Sequence, residues 1–210
     1  TIQAAEMAEL LSWDRVIAVA EAMDYMGLIT QTGNITPIVE KGHEFGVAIQ
    51  GHAPGVVGPH LQAYLAATGP RGSDHESMMP DEMLEKVRAG MLLFARVSVY
   101  MDTSPSLVGA MQQVNDSRLF GFCTDDVFPH DLLREGHLDF GLRRIISHGV
   151  DPVRAIQMAT INVANYYGLH GHGAIGPGYL ADVLLLDDLE AISVTDVIVD
   201  GRHVVAGGEW

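Results

Sequence analysis

The chain has 210 residues, 48% of them hydrophobic, which is enough for one sizeable domain and a second small one. No uncharged apolar run approaches the roughly 18 residues that a membrane span needs, so the sequence predicts none. Twelve Lys and Arg residues against 27 Asp and Glu residues give a formal net charge of −15, which argues against nucleic acid or an anionic membrane as a partner. A single cysteine, Cys123, excludes an internal disulfide and fits the reducing cytoplasm.

Short apolar runs alternate with helical patterns through most of the chain. Runs typical of buried parallel strands cover residues 16–20, 46–50, 91–97 and 119–123, and another strand ends near Ser73. Helical patterns cover residues 34–45, 58–67, 80–89, 138–147 and 152–167. In the last of these, Asp151 is the predicted N-cap and Pro152 the first helical residue. This alternation predicts an α/β fold built on a parallel sheet.

The hydrophobic pattern changes after Gly168. A turn-rich connection over residues 174–179 precedes strand-like runs at 182–186, 194–199 and 202–206. Asp200-Gly201, between the last two runs, is a typical hairpin turn. Because no helix separates these strands, they predict an antiparallel element of their own. We therefore expect two domains, residues 1–172 and residues 173–210.

Four strand-like runs each end in a residue type that binds metals: Glu21, His52, His75 and Asp125. The gaps between them are 31, 23 and 50 residues, and the long gap contains the strand at 91–97, so each ligand falls to about one strand–helix unit. Active sites of (β/α)₈ barrels lie at the carboxyl ends of the strands. Imidazole and carboxylate together suit Zn, Mn or Fe(II). On spacing alone, a metal site and four unrelated polar residues at loops and helix starts remain equally good interpretations.

Longer motifs around these residues resemble a known family. Residues 19–27 (VAEAMDYMG), 51–55 (GHAPG), 73–76 (SDHE) and 123–126 (CTDD) resemble the segments at barrel strands 4, 5, 6 and 8 of the adenine deaminase family, within the metal-dependent amidohydrolase superfamily. Residues 155–162 and 173–182 resemble the last barrel helix and the return to the small β domain. The similarity covers nearly the whole chain in the right order.

This resemblance implies a fold and an activity. The fold would be a partial (β/α)₈ TIM-type barrel, about strands 4–8, followed by part of a small β-sandwich domain. The activity would be hydrolytic deamination of adenine to hypoxanthine and ammonia at a site with two divalent metals in the intact enzyme, Mn or Fe first and Zn as an alternative. The partner would be a small-molecule purine, and the resemblance implies a cytoplasmic homo-oligomer.

The resemblance also implies a role for each site residue. Glu21 would bridge the two metals, with His52 and His75 on one of them. Asp125 would bind the other metal and act as the catalytic proton shuttle. The residues expected to contact the substrate or to support the ligands are Asp74, Glu76, Arg96 and Asp126.

The chain departs from the family pattern in three places. No His-x-His pair precedes Glu21, since the only such pair is His170-Gly-His172 in a later loop. Residues 96–99 read RVSV where the family has Arg-Glu-Gly-Ser, and residues 127–130 read VFPH where it has Arg-His-Pro. We therefore expect an internal piece of a longer protein, and we do not expect the 210-residue chain alone to deaminate adenine at an enzymatic rate.

Two alternatives stay open at this point. One is another amidohydrolase activity, on a cyclic amide or a different aminopurine. The other is a catalytically silent barrel that serves as a structural or binding protein.

Overall fold

Five parallel strands form the centre of the computed structural model, which describes residues 2–209. They are β1 (Ala18–Ala22), β2 (Ala48–Gly51), β3 (Ser73–Asp74), β4 (Leu92–Arg96) and β5 (Phe120–Cys123). β1 pairs with β2, and β3, β4 and β5 pair in that order. A parallel bridge between Ile49 and Gly72 joins the two sheets into one row. The predicted α/β class with parallel strands is confirmed.

Ten α-helices among the described residues connect and cover these strands. They are α1 (Ala4–Leu11), α2 (Tyr25–Thr30), α3 (Ile35–Phe45), α4 (Gly58–Thr68), α5 (Pro80–Arg88), α6 (Ser104–Met111), α7 (Pro129–Glu135), α8 (Leu138–Ser147), α9 (Pro152–Ala159) and α10 (Ile161–Tyr167). The sequence did not predict α1, α2, α6 and α7, which have at most eight residues each, because so short a helix shows little periodicity. Within residues 2–209, no helix is long and apolar enough to cross a bilayer.

The prediction of one helix over residues 152–167 is wrong. Thr160, at φ −128° and ψ −94°, ends α9 and begins α10. Its hydroxyl donates to the Ile156 carbonyl at 2.7 Å, a bond that competes with the helical ladder. Asn162 donates to the carbonyls of Ser117 and Phe120, each at 2.8 Å, and so ties the new helix to the start of β5. The predicted cap at Asp151 is confirmed, since its side chain accepts from the Arg154 amide.

Two hydrophobic clusters hold the helices against the strands. One lies around β4 and β5 and includes Leu93, Phe120 and Met158, all fully buried. The other lies around β1 and β2 and includes Ile49 and Leu61. Burial covers both faces of β2, β4 and β5, and the apolar runs of β4 and β5 are nearly continuous, as expected for buried parallel strands.

The end of the chain forms a separate antiparallel sheet of β6 (Val183–Asp188), β7 (Ser193–Val199) and β8 (Arg202–Val205). Asp200 and Gly201 both have positive φ, 50° and 74°, as a type I′ hairpin turn requires. These three strands are the ones that the sequence predicts.

Candidate metal centre

The carboxyl ends of the parallel strands bring the predicted ligands to one edge of the sheet. Glu21 is the fourth residue of β1, His52 and His75 each follow directly after β2 and β3, and Asp125 lies two residues beyond β5. Arg96 is the last residue of β4. Parallel strands place equivalent ends together, so residues far apart in sequence become neighbours.

Glu21, His52 and His75 form the first group of possible metal ligands. Glu21 Oε2 lies 3.1 Å from His75 Nε2 and 3.7 Å from His52 Nδ1. The two imidazole rings are 5.3 Å apart at 75°, and one ligand atom from each of the three residues lies within 4.8 Å of the others. His52 Nδ1 is buried and has no hydrogen-bond partner among the described residues. Such an atom is costly unless something else contacts it, and a cation fits that need.

His75, Glu76 and Asp125 form a second group that meets the same distance criterion. His75 Nε2 lies 3.4 Å from Asp125 Oδ2 and 3.8 Å from Glu76 Oε1. Arg96 forms ion pairs with both carboxylates, through Nη1 to Glu76 and through Nε, at 3.2 Å, to Asp125. The Nε–H is not aligned for a hydrogen bond, so the contact with Asp125 is one of charge. The guanidinium of Arg96 therefore neutralises part of the negative charge of Glu76 and Asp125.

The charges of the cluster do not balance. Three carboxylates, on Glu21, Glu76 and Asp125, face one guanidinium, on Arg96, which leaves two negative charges if the imidazoles are neutral. The side chains of these residues are 13–35% exposed, so water screens only part of the excess charge. A divalent cation would supply the missing charge, and the donor set suits one.

The backbone at Asp125 adopts a left-handed conformation, with φ 55°. Asp tolerates this region better than most residues, although it is sparsely populated and costs energy. The preceding Thr124 is buried, and its hydroxyl is 3.1 Å from His137 Nε2. These contacts hold the turn that presents the Asp125 carboxylate to the cluster.

Asp74 lies outside this cluster, although the sequence places it among the substrate or support residues. Its carboxylate is fully buried and accepts hydrogen bonds from the Ala53 amide, Ser77 and Lys86, so no substrate can reach it. Burial is the largest influence on the Asp74 pKa and raises it, but the Lys86 charge and these hydrogen bonds outweigh burial and hold the pKa below its usual value. Asp74 is therefore ionised, and its carboxylate binds the backbone of the loop after His52 through the Ala53 amide.

Lys86, the partner of Asp74, is a residue that sequence reasoning missed. It lies in α5, where Met83, Leu84 and Val87 are also buried. The available signal was its spacing from Glu82, four residues earlier, which matches a helical ion pair. Such pairs are usually exposed, whereas this lysine is fully buried.

Gly51 explains part of the GHAPG motif. A Cβ built there would lie 1.9 Å from the Tyr64 hydroxyl and 2.1 Å from the Ser73 carbonyl, distances that no side chain tolerates. The glycine lets β2 approach β3 closely, and its amide donates to the Ser73 hydroxyl at 3.2 Å. This close approach sets the separation of His52 from His75.

A cleft of about 500 Å³ adjoins the cluster and is lined by Arg96, Tyr100, Asp126, Val127 and Phe128. The Tyr100 and Phe128 rings meet edge to face at 5.0 Å, and both are about half exposed. Asp126, which the sequence places among the substrate or support residues, is exposed in this cleft. Two of its lining residues, Val127 and Phe128, lie in the segment 127–130 that departs from the family pattern.

Comparison with known proteins identifies relatives of the whole chain. Residues 4–204 match the sequence profile of the Amidohydrolase family. The chain is 36% identical to an adenine deaminase of Desulfatibacillum aliphaticivorans and 38% identical to one of Petrotoga mobilis, each over 208 residues. Each match covers 99% of this chain but 36% of the relative, so the chain spans little more than a third of the length of these curated relatives. The resemblance predicted from the motifs is confirmed.

Solved structures show the same fold at lower identity. A β-aspartyl dipeptidase from Fervidobacterium islandicum AW-1 matches with a TM-score of 0.70 and 15% identity, covering 96% of this chain and 60% of that one. An enamidase, a member of the amidohydrolase superfamily, matches with a TM-score of 0.65 and 20% identity, covering 83% and 52%. At these identities the likeness concerns the fold alone.

Cys123, two residues before Asp125, should be a poor nucleophile in the folded chain. Burial, and after it the Asp125 charge, raises the pKa of the Cys123 thiol from 9.0 to about 12. At pH 8 this leaves about a thousandfold less thiolate than an unperturbed thiol would have. We expect iodoacetamide to alkylate Cys123 slowly in the metal-free native chain and rapidly after unfolding, as followed by mass spectrometry. Equal rates in the two states would contradict the raised pKa.

Proposed function

The chain belongs to the amidohydrolase family, and from that premise we propose that it carries part of a metal-dependent site that hydrolyses adenine to hypoxanthine and ammonia. The observation that carries the proposal is the convergence of Glu21, His52 and His75 on one point with Asp125 beside it. Similarity to curated adenine deaminases over 99% of the chain supports the substrate.

We propose that Glu21, His52 and His75 hold one divalent cation, Mn, Fe or Zn. In the intact enzyme, Asp125 and Glu21 would contribute to a second. Glu76 has ligand geometry as well, but its ion pair with Arg96 favours a supporting role for it. A divalent cation at such a site lowers the pKa of water and so makes a nucleophile available at neutral pH.

Asp125 is the proposed catalytic base and acid. Its carboxylate accepts a proton from the attacking water as the water oxygen bonds to C6 of adenine. The same proton is then donated to the exocyclic nitrogen, so that the C6–N bond breaks and ammonia leaves. Arg96, in contact with Asp125 Oδ2 at 3.2 Å, keeps the carboxylate oriented between the two steps.

The cleft beside the cluster is the proposed purine site. Its 500 Å³ volume falls within the roughly 300–1,000 Å³ of small-molecule sites. The half-exposed Phe128 ring, with the Tyr100 ring edge-on to it, offers an apolar face for a purine ring, and Asp126 offers an acceptor for a ring N–H. Arg96 lies between the cleft and the cluster, so a ring bound there would place its reacting carbon towards Asp125.

The wider architecture and setting are also proposals. We propose that β1–β5 are strands 4–8 of a (β/α)₈ barrel, and that residues 1–172 belong to it and residues 173–210 to a small β-sandwich domain. The likeness to amidohydrolase structures supports this arrangement. The negative net charge and the single cysteine support a small-molecule partner and a cytoplasmic location. β1 and β5 pair on one side only within residues 2–209, which is consistent with a homo-oligomer or further strands.

Asp125→Asn tests the proton shuttle. In the protein expressed at its natural length and loaded with Mn²⁺, we expect kcat for adenine to fall by roughly 10²–10⁴-fold, because the amide cannot accept the proton of the water. Ammonia release, followed by a coupled assay, measures the rate, and elemental analysis measures the metal content.

The matched control for this variant is Asp187→Asn, an exposed carboxylate in β6, which should retain full activity. A loss of only a few-fold in Asp125→Asn, with the metal content unchanged, would assign the shuttle to another group. If the natural-length protein itself releases no ammonia from adenine but acts on another aminopurine or a cyclic amide, the substrate proposal is wrong and the metal centre remains.

Phe128→Ala tests the purine site. Stacking of a base on an aromatic ring contributes about 1–3 kcal/mol, so we expect KM for adenine to rise by about 5- to 150-fold with kcat less affected. Phe128→Tyr keeps the ring and should keep KM. Leu133→Ala removes a side chain that is 90% exposed on α7 and serves as the control. An unchanged KM in Phe128→Ala would place the purine elsewhere.

The 210-residue chain by itself should turn over adenine far below the 1 s⁻¹ or so of ordinary enzymes. Without a His-x-His pair before Glu21, the second cation would have only Glu21 and Asp125 from this chain, below the three protein ligands usual in catalytic zinc sites. Steady-state assays of the purified chain with added Mn²⁺ or Fe²⁺ measure this. A rate near 1 s⁻¹ would mean that the chain holds a complete site.

A further inference from the structure

A buried lysine lies directly beneath the proposed metal centre. Lys86 Nζ is within hydrogen-bond distance of four oxygens: Ala53 O at 2.7 Å, Asp74 Oδ2 at 3.0 Å, Ser77 Oγ at 2.9 Å and Glu82 Oε1 at 2.6 Å. Lys86 and Asp74 are both fully buried. Burying a charged pair is expensive, and such a pair often contributes little net stability. Net stability alone therefore does not explain why the Lys86–Asp74 pair is buried at this position.

The contacts of this pair converge on one peptide unit. Lys86 donates to the carbonyl of Ala53, and Asp74 accepts from the amide of the same residue at 2.7 Å. Both hydrogen-bonding groups of Ala53 are thus held by an ion pair with no access to water. Ala53 directly follows His52, and Asp74 directly precedes His75. The pair therefore joins the backbones of the two proposed histidine ligands.

The same helix also holds the rest of the loop after β2. Glu82 accepts from the Gly55 amide at 2.8 Å, and Glu85 accepts from the Gly58 amide at 2.6 Å. Because α5 follows β3 in the chain, α5 begins close to His75. Its side chains also hydrogen-bond to the loop after His52. The loop over residues 53–58 is thereby fixed at three points along α5.

We propose that Lys86 and Asp74 are a positioning pair that fixes Ala53 and thereby holds His52 and His75 at the spacing that a shared cation needs. This inference rests on the metal centre proposed above. Neither residue contacts the cation, and both act through the backbone. Groups that support metal ligands in this way typically change metal affinity by about 10- to 100-fold when they are removed.

The test compares Zn²⁺ affinity across variants of the 210-residue chain, with a chromophoric chelator as competitor. Lys86→Met removes the charge and keeps the chain length, and Asp74→Asn keeps the shape of the carboxylate. Asn162→Ala is the matched control, because it removes a buried side chain with two hydrogen bonds at the other end of β5. Thermal unfolding gives the stability of each variant. Hydrogen exchange of residues 53–58 in the metal-free chain measures the loop directly.

We expect Zn²⁺ affinity to fall by about 10- to 100-fold in Lys86→Met and in Asp74→Asn, with faster exchange at residues 53–58. Asn162→Ala should lower Tm but leave Zn²⁺ affinity and that exchange little changed. Retained affinity in Asp74→Asn, or an equal loss in Asn162→Ala, would overturn the positioning role. Failure of both site variants to fold would also overturn it, because the pair would then be a requirement of the fold.

The two proposals fail in different ways. An unaltered chain that binds no Zn²⁺ contradicts the metal centre and the inference with it. If the unaltered chain binds Zn²⁺ but the two site variants bind it equally tightly, only the positioning role is contradicted. Neither outcome depends on whether adenine is the substrate.

Discussion

Repulsion among three carboxylates at one edge of the sheet is the constraint on which the site depends. Glu21, Glu76 and Asp125 meet there because parallel strands end together. The Glu76 and Asp125 oxygens lie within 4.8 Å of each other, a spacing at which like charges repel by about 3–4 kcal/mol at an effective dielectric constant near 20. Arg96 offsets one of these charges through Glu76 and Asp125. With neutral imidazoles two negative charges remain, and a divalent cation would offset them.

A second level of organisation lies below that edge. The side chains of the proposed ligands are 13–35% exposed, whereas Lys86 and Asp74 are fully buried and hydrogen-bonded. Removing one partner of a buried ion pair typically costs about 3–5 kcal/mol, much more than an exposed pair contributes. A fully buried ion pair therefore lies at the loops below the site rather than in the site itself. Rigid support below an open, charged edge is the arrangement that a metal site requires.

The cleft shows how the same scaffold can serve different substrates. The strands and the proposed ligands follow the adenine deaminase pattern, but two residues of the cleft, Val127 and Phe128, lie in a segment that departs from it, and Phe128 forms an aromatic pair with Tyr100 there. In strand–helix folds of this kind, loops at the carboxyl ends vary while the strands are retained. Under the proposed function, substrate specificity would depend on these cleft residues rather than on the strands.

The sequence alone predicted where the strands lie along the chain and which residues stand at their ends. Both predictions depend on local signals: a buried parallel strand is a short apolar run, and each candidate ligand closely follows such a run. It did not predict the four short helices or the break at Thr160, since a tertiary bond from Asn162 to the start of β5 competes there with a continuous helical pattern. It named Asp74 as a residue that contacts the substrate or supports the ligands, without deciding between the two roles, and it missed the burial of Lys86. Which carboxylate faces the cluster and which faces the lysine depends on how α5 packs against two loops, and only the tertiary structure decides that contact.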